Sequence, residues 1–484
     1  MKGTGGSPVR TSLHQLPIPV PTLEFTTELD ASPEAVFRWH ARPGAFERLV
    51  PPWAPVRLEH FEGIGEGDRA VLRVGPGPLA LRWVAEHHDV VEGRQFCDRQ
   101  VQGPFAHWDH THRFEPVEGG ARCRLVDRIE YRLPGGPVGD LLAPWLEPEL
   151  RRQFAYRHRV TRRDLALHQA YSPEDRAMTV AVSGTSGLVG SQLVPFLRTG
   201  GHAVRRLVRS GPTSEKEILW DPRTGRVEAE KLEGVDAVVH LAAESVFGLW
   251  TAARKRRIRD SRVDGTRLLA EALAGLADPP EAFVSASAVG YYGDRGADVV
   301  TEETPGGAGF LADVCRAWEA ATEPAAAAGI RTVPARIGVV LSPAGGALQV
   351  QWPLFWAGLG GAVGGPDSYV PWIAIDDVVG GLYHLLGTDL EGPVNLTAPT
   401  PVPMEEYART LAGVLDRSAR LRVPPSLVRR VGGEAAEEMV LKSARVVPRR
   451  LEESGYSFGY PGLEGALRHV LGRTADAAAG ATLR

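Results

Sequence analysis

Cysteine is scarce in this sequence, and the cysteines present are not arranged as pairs. The 484 residues contain only Cys97, Cys123 and Cys315, which form neither a CxxC pair nor an even-numbered set. A disulfide framework is therefore excluded, and a reducing cytoplasm is the expected compartment. The three thiols are expected to be small buried side chains, with a nucleophilic Cys315 as the alternative.

Lysine is also rare, whereas arginine is abundant. Lysine stands only at Lys2, Lys216, Lys231, Lys255 and Lys442, so the long stretch between the last two of these contains none. Chemistry that depends on a lysine from that part of the chain is thereby excluded.

Long hydrophobic runs are absent as well. No apolar stretch approaches the roughly 18 residues that a membrane-spanning helix needs, and no hydrophobic signal is seen at the N-terminus. The net charge of −4 gives no reason to expect binding to nucleic acid or to an anionic membrane. A content of 43% hydrophobic and 24% charged residues is that of a soluble globular protein, here with roughly two to four domains.

Composition and periodicity divide the chain into five segments. Residues 1–21 are rich in glycine, proline and serine, which predicts a flexible leader. The polar stretch 172–177 predicts a linker. Between and after these we expect a first domain at 22–171, a second at 178–400, and a mostly helical domain at 401–484 that packs on the edge of the preceding sheet.

The segment 22–171 has the pattern of an α+β domain. A strand pattern at 22–31 is followed by helical spacing at 33–50 and then by several runs of period-two alternation. A long helix is predicted over Val138–Ala170. One strand, two short helices, a run of strands and a final long helix is the order of a helix-grip fold with an antiparallel sheet.

Three stretches of this segment resemble the START-like SRPBCC superfamily, in particular its polyketide cyclase/dehydrase-like members. They are HARPGAFERLVPPW at 40–53, GPFAHWDHTHRF at 103–114 and FAYRHRVTRRDL at 154–165. They are similar to the version that is fused to epimerase-like proteins. The resemblance implies a curved sheet wrapped on a long helix, with an apolar pocket for a small ligand.

Three histidines lie close together in the second of these stretches. On a strand, His110 and His112 share one face with Trp108, while His107 and Asp109 point to the other face. A two-histidine metal site is one interpretation, but no third ligand can be identified on that face. A polar strand or a pocket lining is the favoured interpretation, and no metal is predicted.

A strand, a glycine turn and a helix follow one another from residue 178. The apolar run 178–183 precedes Gly184, Gly187 and Gly190, and 188–197 has the apolar spacing of a helix. The free N–H groups at the helix start and the missing side chains let a pyrophosphate approach the backbone. This order predicts a dinucleotide site, with a plain tight turn as the alternative.

The strand and helix patterns continue to alternate after this turn. Strand patterns at 202–210, 235–244, 281–293 and 331–341 are separated by helical segments. Such alternation predicts an α/β fold of Rossmann type, in which helices cover both faces of a doubly wound parallel sheet.

The motifs of this part resemble the extended short-chain dehydrogenase/reductases, that is, the NAD-dependent epimerase/dehydratase superfamily. GTSGLVG has the GxxGxxG spacing, and HLAAE, SASAVGYYG, PWIAIDDVV and VNLTAP follow in the order of later family landmarks. The tail LKSARVVPRRLEESGYSFGYPGLEGAL is similar to the short C-terminal domain of a bacterial "epimerase family protein" branch. Together the resemblances cover nearly the whole chain from Thr22.

The resemblance implies a nicotinamide dinucleotide, and we predict NADP with NAD as the alternative. No carboxylate stands at the end of 202–210, where an NAD site usually has one, whereas Arg209 and Ser210 suit a 2′-phosphate. In the other interpretation, Arg209 and the earlier Arg205 and Arg206 of the same strand only form a solvated strand end. The expected cofactor contacts are Gly184, Thr185, Ser186, Gly187, Leu188, Val189, Gly190, Arg209, Ser210, Leu241, Ala242 and Arg262.

The resemblance also implies catalysis by a Tyr-xxx-Lys pair on a helix, together with a serine at the end of strand five. The serine is present as Ser287, but the pair is missing. Counting back from Glu319, which matches a family glutamate, places Cys315 at the lysine position and Leu311 at the tyrosine position. Ordinary chemistry of the superfamily is therefore in doubt.

Two functions agree with these residues. The first is an NADP-dependent epimerase or oxidoreductase for a small metabolite such as a nucleotide sugar, with Ser287, Tyr291 and Tyr292 as catalytic residues. In the structural interpretation, the two tyrosines only pack at the strand–loop junction. The alternative function is a non-catalytic NADP-dependent sensor, or a carrier for a small apolar ligand in the N-terminal pocket. A homodimer is an open alternative to a monomer.

Overall fold

A computed structural model describes residues 21–141, 143–171, 176–365 and 367–474 of the chain. The predicted leader lies outside these ranges except for Pro21, and so do residues 172–175 of the predicted linker. The division into 22–171, 178–400 and 401–484 stays a prediction.

The N-terminal part is a seven-stranded antiparallel sheet curved around one long helix. The strand order is β1-β7-β6-β5-β4-β3-β2, so the first strand pairs with the last. This arrangement confirms the predicted helix-grip order. The strands are β1 (Thr22–Leu29), β2 (Val56–Phe61), β3 (Arg69–Val74), β4 (Leu81–Val91), β5 (Gln95–Gln102), β6 (His107–Val117) and β7 (Arg122–Arg132). The helices are α1 (Pro33–Ala41), α2 (Ala45–Leu49), α3 (Pro137–Asp140) and α4 (Ala143–Tyr171).

Local sequence signals explain several of these elements. In β1, buried side chains such as Leu23 and Phe25 alternate with exposed ones, as a sheet with one solvated face requires. Helix α1 begins at Pro33 after Ser32, whose hydroxyl accepts the N–H of Ala35. Phe25 stacks on Phe154 of α4 with a distance of 4.7 Å between the ring centroids, and this contact joins sheet and helix.

The predicted helix from Val138 was wrong at its start, because α3 and α4 are separate helices. A Cβ on Gly139 would lie 2.4 Å from the carbonyl oxygen of Pro134, so the chain makes a tight turn here. The long helix begins only at Ala143.

The second part is an α/β fold around an eight-stranded sheet. The order β11-β10-β9-β8-β12-β13-β15-β20 is parallel throughout except for the edge pair β10–β11. The doubly wound sheet is therefore confirmed. The strands of this part of the chain, of which those outside the large sheet form two-stranded pairs, are β8 (Thr179–Ser183), β9 (Ala203–Val208), β10 (Glu217–Asp221), β11 (Arg226–Val227), β12 (Ala237–His240), β13 (Ala282–Ala288), β14 (Val299–Val300), β15 (Arg331–Ile337), β16 (Val339–Leu341), β17 (Gly361–Val363), β18 (Tyr369–Val370), β19 (Trp372–Ala374), β20 (Val394–Leu396), β21 (Val402–Pro403), β22 (Leu421–Val423) and β23 (Arg445–Val446).

Helices cover both faces of this sheet. The helices of this part of the chain, including those of the C-terminal layer, are α5 (Gly190–Thr199), α6 (Ala252–Ala274), α7 (Phe310–Ala320), α8 (Glu323–Ala327), α9 (Gly346–Trp356), α10 (Ile375–Gly387), α11 (Met404–Val414), α12 (Pro425–Ala436), α13 (Arg449–Glu453) and α14 (Leu463–Val470). Val180 and Val182 of β8 pack with α5 and α10, whereas Ala181 packs on the opposite face with α6 and α8. None of the helices in the described residues has the length and apolar character needed to cross a membrane.

The C-terminal residues form a helical layer that returns to the sheet domain. Short strands tie this layer down, since β23 pairs with β14, β22 with β17 and β21 with β18. The predicted helical character is confirmed, and these small strand pairs are an addition that the sequence pattern did not indicate.

The N-terminal domain is joined to the rest of the chain by a buried ion-pair network. Arg48 of α2 bonds both oxygens of Asp164 in α4 and one oxygen of Asp376 at the start of α10. Nε2 of His469 in α14 donates to the other oxygen of Asp376 at 2.8 Å. Both parts of the chain supply charges to one buried cluster, which links them by electrostatics as well as by packing.

Several buried histidines make the fold sensitive to acid. Burial lowers the pKa of His202, His240 and His384 to about 4 and that of His168 to about 3, from an ordinary 6.5. Between about pH 6.5 and 4 the unfolded chain therefore binds protons that the folded chain does not, and stability falls as the pH falls. Each fully buried histidine adds up to about 1.4 kcal/mol per pH unit to this slope.

We expect the free energy of unfolding, measured with urea, to be lower at pH 5.0 than at pH 6.0. His384→Gln should reduce the decrease in the free energy of unfolding per pH unit by about the contribution of one buried histidine. His60→Gln, at an exposed histidine, should leave the slope unchanged. A free energy that does not change over this range would contradict the prediction.

Candidate active site

The turn after β8 requires glycine at Gly184 and at Gly190. Gly184 has a φ of 68°, and a Cβ there would lie 2.7 Å from the carbonyl carbon of Leu241. At Gly190, where α5 begins, a Cβ would lie 2.3 Å from the carbonyl oxygen of Gly184. The backbone therefore passes close to its neighbours and brings the start of α5 next to the end of β8, as a pyrophosphate-binding turn requires.

The next strand of the sheet brings Leu241 and Ala242 against this turn. Their N–H groups both donate to Oγ of Ser183, at 3.0 and 3.2 Å. The same hydroxyl lies 2.7 Å from Nδ1 of His240, whose pKa burial lowers to about 4. A neutral histidine and one serine thus hold the ends of β8 and β12 together at the floor of the predicted cofactor site.

Arg209 and Ser210 follow β9, which pairs with β8, so they lie at the same edge of the sheet as the glycine turn. The two earlier arginines of this strand are engaged, Arg205 with the carbonyl of Lys231 and Arg206 with Glu217. Arg209 is exposed and has no hydrogen bond or ion pair with any other described residue.

Arg262 lies on α6 and is held on several sides. Its Nη1 donates to the carbonyl oxygens of Glu244 and Ile258, and its guanidinium lies 5.0 Å from the ring centroid of Trp318. Burial lowers the pKa of Arg262. This residue joins α6 to α7 and to the loop after β12.

Ser287 does not stand alone at the end of β13. Its hydroxyl donates to Oε1 of Glu319 on α7 at 2.6 Å. Arg336 of β15 bonds both oxygens of the same carboxylate, at 2.8 and 2.7 Å, and its side chain is only 3% exposed. A buried bidentate ion pair of this kind fixes both groups in position and orients the serine hydroxyl.

The two tyrosines after β13 occupy different environments around Arg336. Tyr292 is completely buried, donates to Oδ1 of Asn395 at 2.7 Å and accepts from Arg336 at 2.9 Å, and burial raises its pKa to about 12. Tyr291 is partly exposed, and the guanidinium of Arg336 lies 3.6 Å from its ring centroid. Tyr292 therefore has the geometry of a residue that positions Arg336, and Tyr291 is the phenol that can still meet a ligand.

Helix α7 carries apolar residues where a Tyr-xxx-Lys pair would lie. A Cβ on Gly290 would contact Leu311 at 3.4 Å and Sγ of Cys315 at 3.8 Å, so both side chains pack on the turn that follows β13. Burial raises the pKa of Cys315 to about 12. All three cysteines are buried, as expected.

Sequence reasoning missed the central role of Arg336. Glu319 was noted only as a landmark, and Arg336 was part of a strand pattern. A signal was present, because an arginine within the apolar run 333–337 of a central strand must have a partner when it is buried.

The N-terminal domain contains a cavity of about 330 Å³ between its sheet and α4. Its walls are mainly aromatic and aliphatic, for example Phe96 and Phe105, and a few polar groups stand at one end. His110 and His112 point into it with Trp108, as the predicted strand alternation requires, while His107 is exposed on the other face.

The comparisons with known families assign the three parts of the chain. Residues 21–156 match the family "Polyketide cyclase / dehydrase and lipid transport", 180–395 match the "NAD dependent epimerase/dehydratase family", and 423–470 match a domain of unknown function, DUF1731. These matches confirm both resemblances seen in the sequence.

Relatives and solved structures agree with this assignment. The epimerase family protein Mb2239 of Mycobacterium bovis is 41% identical over 298 residues, which is 61% of this chain and 98% of the relative. The structure of a nucleoside-diphosphate sugar epimerase from Corynebacterium glutamicum is 34% identical with a TM-score of 0.77, covering 93% of this chain and 90% of that one.

A human relative has been solved with a nicotinamide cofactor. The structure of human epimerase family protein SDR39U1 with NADPH is 32% identical, with a TM-score of 0.55, and covers 60% of this chain and 99% of that one. The chain therefore belongs to the epimerase family proteins of the NAD-dependent epimerase/dehydratase family, with an additional N-terminal polyketide cyclase/dehydrase-like domain.

Proposed function

We propose that this protein is an NADP(H)-dependent oxidoreductase or epimerase that acts on a small metabolite. The observation that carries the proposal is the exposed, unengaged Arg209 at the sheet edge that also holds the glycine turn. The human relative solved with NADPH supports the choice of the phosphorylated cofactor. Gly184 to Gly190, Ser210, Leu241 and Ala242 are proposed to bind the rest of the dinucleotide, with Arg262 at the border of its nicotinamide end.

The reacting centre is proposed to consist of Ser287 and Tyr291. When bound, the nicotinamide supplies hydride transfer. The hydroxyl of Ser287 is oriented by Glu319, and Tyr291 offers a phenol that can donate or accept a proton. Tyr292 is proposed to act indirectly, since it holds Arg336 in contact with both Glu319 and the ring of Tyr291.

The proposed substrate class is a small polar metabolite such as a nucleotide sugar. The Corynebacterium glutamicum protein, whose structure aligns with 93% of this chain, is described as a nucleoside-diphosphate sugar epimerase. Incubation of the purified protein with NADPH or NADP⁺ and a panel of nucleotide sugars and small carbonyl compounds tests turnover directly. Net oxidation or reduction is followed at 340 nm, and epimerisation, whose product has the same mass as its substrate, is followed by NMR. Oxidation of NADPH that depends on Tyr291 would support an enzyme.

A carrier or sensor is the second candidate, and the cavity of the N-terminal domain favours it. A groove of about 540 Å³ shares Phe46, Val56 and Phe61 with that cavity and reaches Ser191 and Gln192 at the start of α5. An apolar ligand could be held by the first domain near the cofactor domain. Co-purified apolar molecules without NADPH turnover would favour this function over the first.

Replacing Arg209 by alanine should weaken NADPH binding about 10- to 100-fold, because a guanidinium–phosphate contact is lost. NADH has no 2′-phosphate, and its affinity should change little. Titration calorimetry with both cofactors measures the effect. Arg57→Ala, at an arginine that is 76% exposed on the N-terminal domain, is the matched control. Tighter binding of NADH than of NADPH by the unmodified protein would refute the assignment.

A further inference from the structure

A compact group of histidines and aspartates stands at the polar end of the N-terminal cavity. Asp98 of β5 is paired in register with His110 of β6, and His112 of β6 is paired with Asp127 of β7. Residues 110 and 112 point to the same side of their strand. Three neighbouring strands therefore direct two imidazoles and two carboxylates to one point on the inner face of the sheet.

The first three of these side chains bring ligand atoms together. Oδ2 of Asp98 lies 3.2 Å from Nδ1 of His110 and 3.6 Å from Nε2 of His112. Two atoms that each bind one ion at about 2.1 Å lie about 3.0–3.4 Å apart when they subtend about 90–110°. The second separation is too long for a hydrogen bond, and both are close to the spacing of neighbouring ligands around a metal ion.

A fourth residue supports the outer side of both imidazoles. Oδ1 of Asp127 lies 3.2 Å from Nε2 of His110 and 2.6 Å from Nδ1 of His112, that is, from the ring nitrogens that face away from Asp98. Its other oxygen lies 2.6 Å from Nε2 of His158 on α4. Metal-binding histidines typically have a carboxylate at the second ring nitrogen, which fixes their orientation and their tautomer.

The charge and position of the group also suit a cation with free coordination positions. Asp98 and Asp127 supply two negative charges, and Arg157 is the cation that borders the cavity at this end. The side chains of His110 and Asp127 are each 4% exposed, whereas that of Asp98 is 18% exposed and borders the cavity. An ion held here would be protected from bulk water on the sheet side and open on the cavity side.

We propose that Asp98, His110 and His112 bind a divalent transition-metal ion, with Asp127 orienting both histidines. The free positions of the ion face the apolar cavity, so the ligand class is a mainly apolar small molecule with one oxygen donor. Sequence reasoning could not identify a third ligand on the strand of His110 because this ligand comes from the neighbouring strand β5. The site is distinct from the dinucleotide site and does not depend on it.

Titration of the metal-free full-length protein with Co²⁺ tests the proposal. We expect one ion per chain, with a dissociation constant of about 10 µM or lower and with visible absorption bands of nitrogen- and oxygen-bound Co²⁺. Asp98→Asn and His112→Gln should each weaken binding at least about 100-fold. Absence of binding to the unmodified protein up to about 1 mM would overturn the proposal and leave a purely structural ion-pair network.

Two control variants separate this site from other acidic groups. Asp109→Asn changes the outer face of the same strand and should leave Co²⁺ binding unchanged. Cys97→Ser tests a second group, His88, Asp89 and Cys97, whose possible ligand atoms also lie within 4.8 Å of one another. Loss of binding in Cys97→Ser but not in Asp98→Asn would refute the assignment.

A spectroscopic readout on the unmodified chain covers the case in which a variant fails to fold. In protein with ¹⁵N-labelled histidine, addition of Zn²⁺ should shift the ring nitrogen signals of two buried histidines and leave the exposed ones in place. Shifts confined to exposed histidines would contradict the proposal.

Discussion

Replacing Arg48 by methionine is expected to lower the free energy of unfolding by about 3–5 kcal/mol. The side chain of Arg48 is 1% exposed and lies between Asp164, at 2.8 Å, and Asp376, at 2.9 Å. Methionine fills a similar volume but leaves both carboxylates without their main counter-charge in a place from which water is excluded. The cost is therefore mainly that of two buried carboxyl groups that lose their shared counter-charge, with His469 left beside Asp376.

The pKa values of the two carboxyl groups show how this cluster is balanced. Burial would raise the pKa of Asp376, but Arg48 and His469 outweigh it and hold this pKa below its ordinary value. Burial dominates at Asp164, whose pKa is raised even with Arg48 in place. Asp164 is thus the group expected to take up a proton when Arg48 is removed, which would limit the loss of stability at low pH.

Urea unfolding at pH 7.5 and pH 5.5 measures both effects. We expect the difference between Arg48→Met and the unmodified protein to be smaller at the lower pH. Arg57→Met, at an exposed arginine, should change the free energy of unfolding by less than about 0.5 kcal/mol. If the two variants behaved alike, the buried cluster would not be what joins the domains.

The Arg48 cluster also shows why part of this fold could not be predicted. Periodicity and turn residues lie within short windows, and they gave the strand and helix order of both domains. Asp164 is 116 residues from Arg48 in the chain and Asp376 is 328 residues away. No local pattern carries such a contact, although Asp376 lies in the first turn of α10, where an acidic residue is common.

The candidate active site also has one part that could be predicted from the sequence and one part that could not. The glycine turn was predictable because its demand on the backbone is local and excludes side chains at fixed spacing. Ser287, at the end of β13, could be identified from its motif. Its partner Glu319 lies on helix α7, and Arg336, which binds Glu319, lies on the neighbouring strand β15. The ion pair between Arg336 and Glu319 can be identified only from the fold, which places β13, β15 and α7 side by side.

Replacing Gly190 by alanine is expected to reduce the affinity for NADPH about 100-fold or more, which corresponds to about 2.7 kcal/mol. The added Cβ would lie 2.3 Å from the carbonyl oxygen of Gly184 and 2.9 Å from Cα of Thr185. Both are backbone atoms that no rotamer change can move. The start of α5 must then shift away from β8, and the N–H groups that would face the pyrophosphate move with it.

Calorimetry with NADPH measures this loss, and Gly413→Ala is the matched control because a Cβ at Gly413, within α11, would meet no atom within 4 Å. Gly187→Ala should fall between the two, since its Cβ would have a single close contact, 3.2 Å from the oxygen of Gly184. A graded loss in the order Gly190, Gly187, Gly413 would tie affinity to the approach of the helix to the strand. Unchanged NADPH binding in Gly190→Ala would mean that the turn does not hold the cofactor. The exposed position of Arg209 after β9 would then not be explained by a cofactor phosphate.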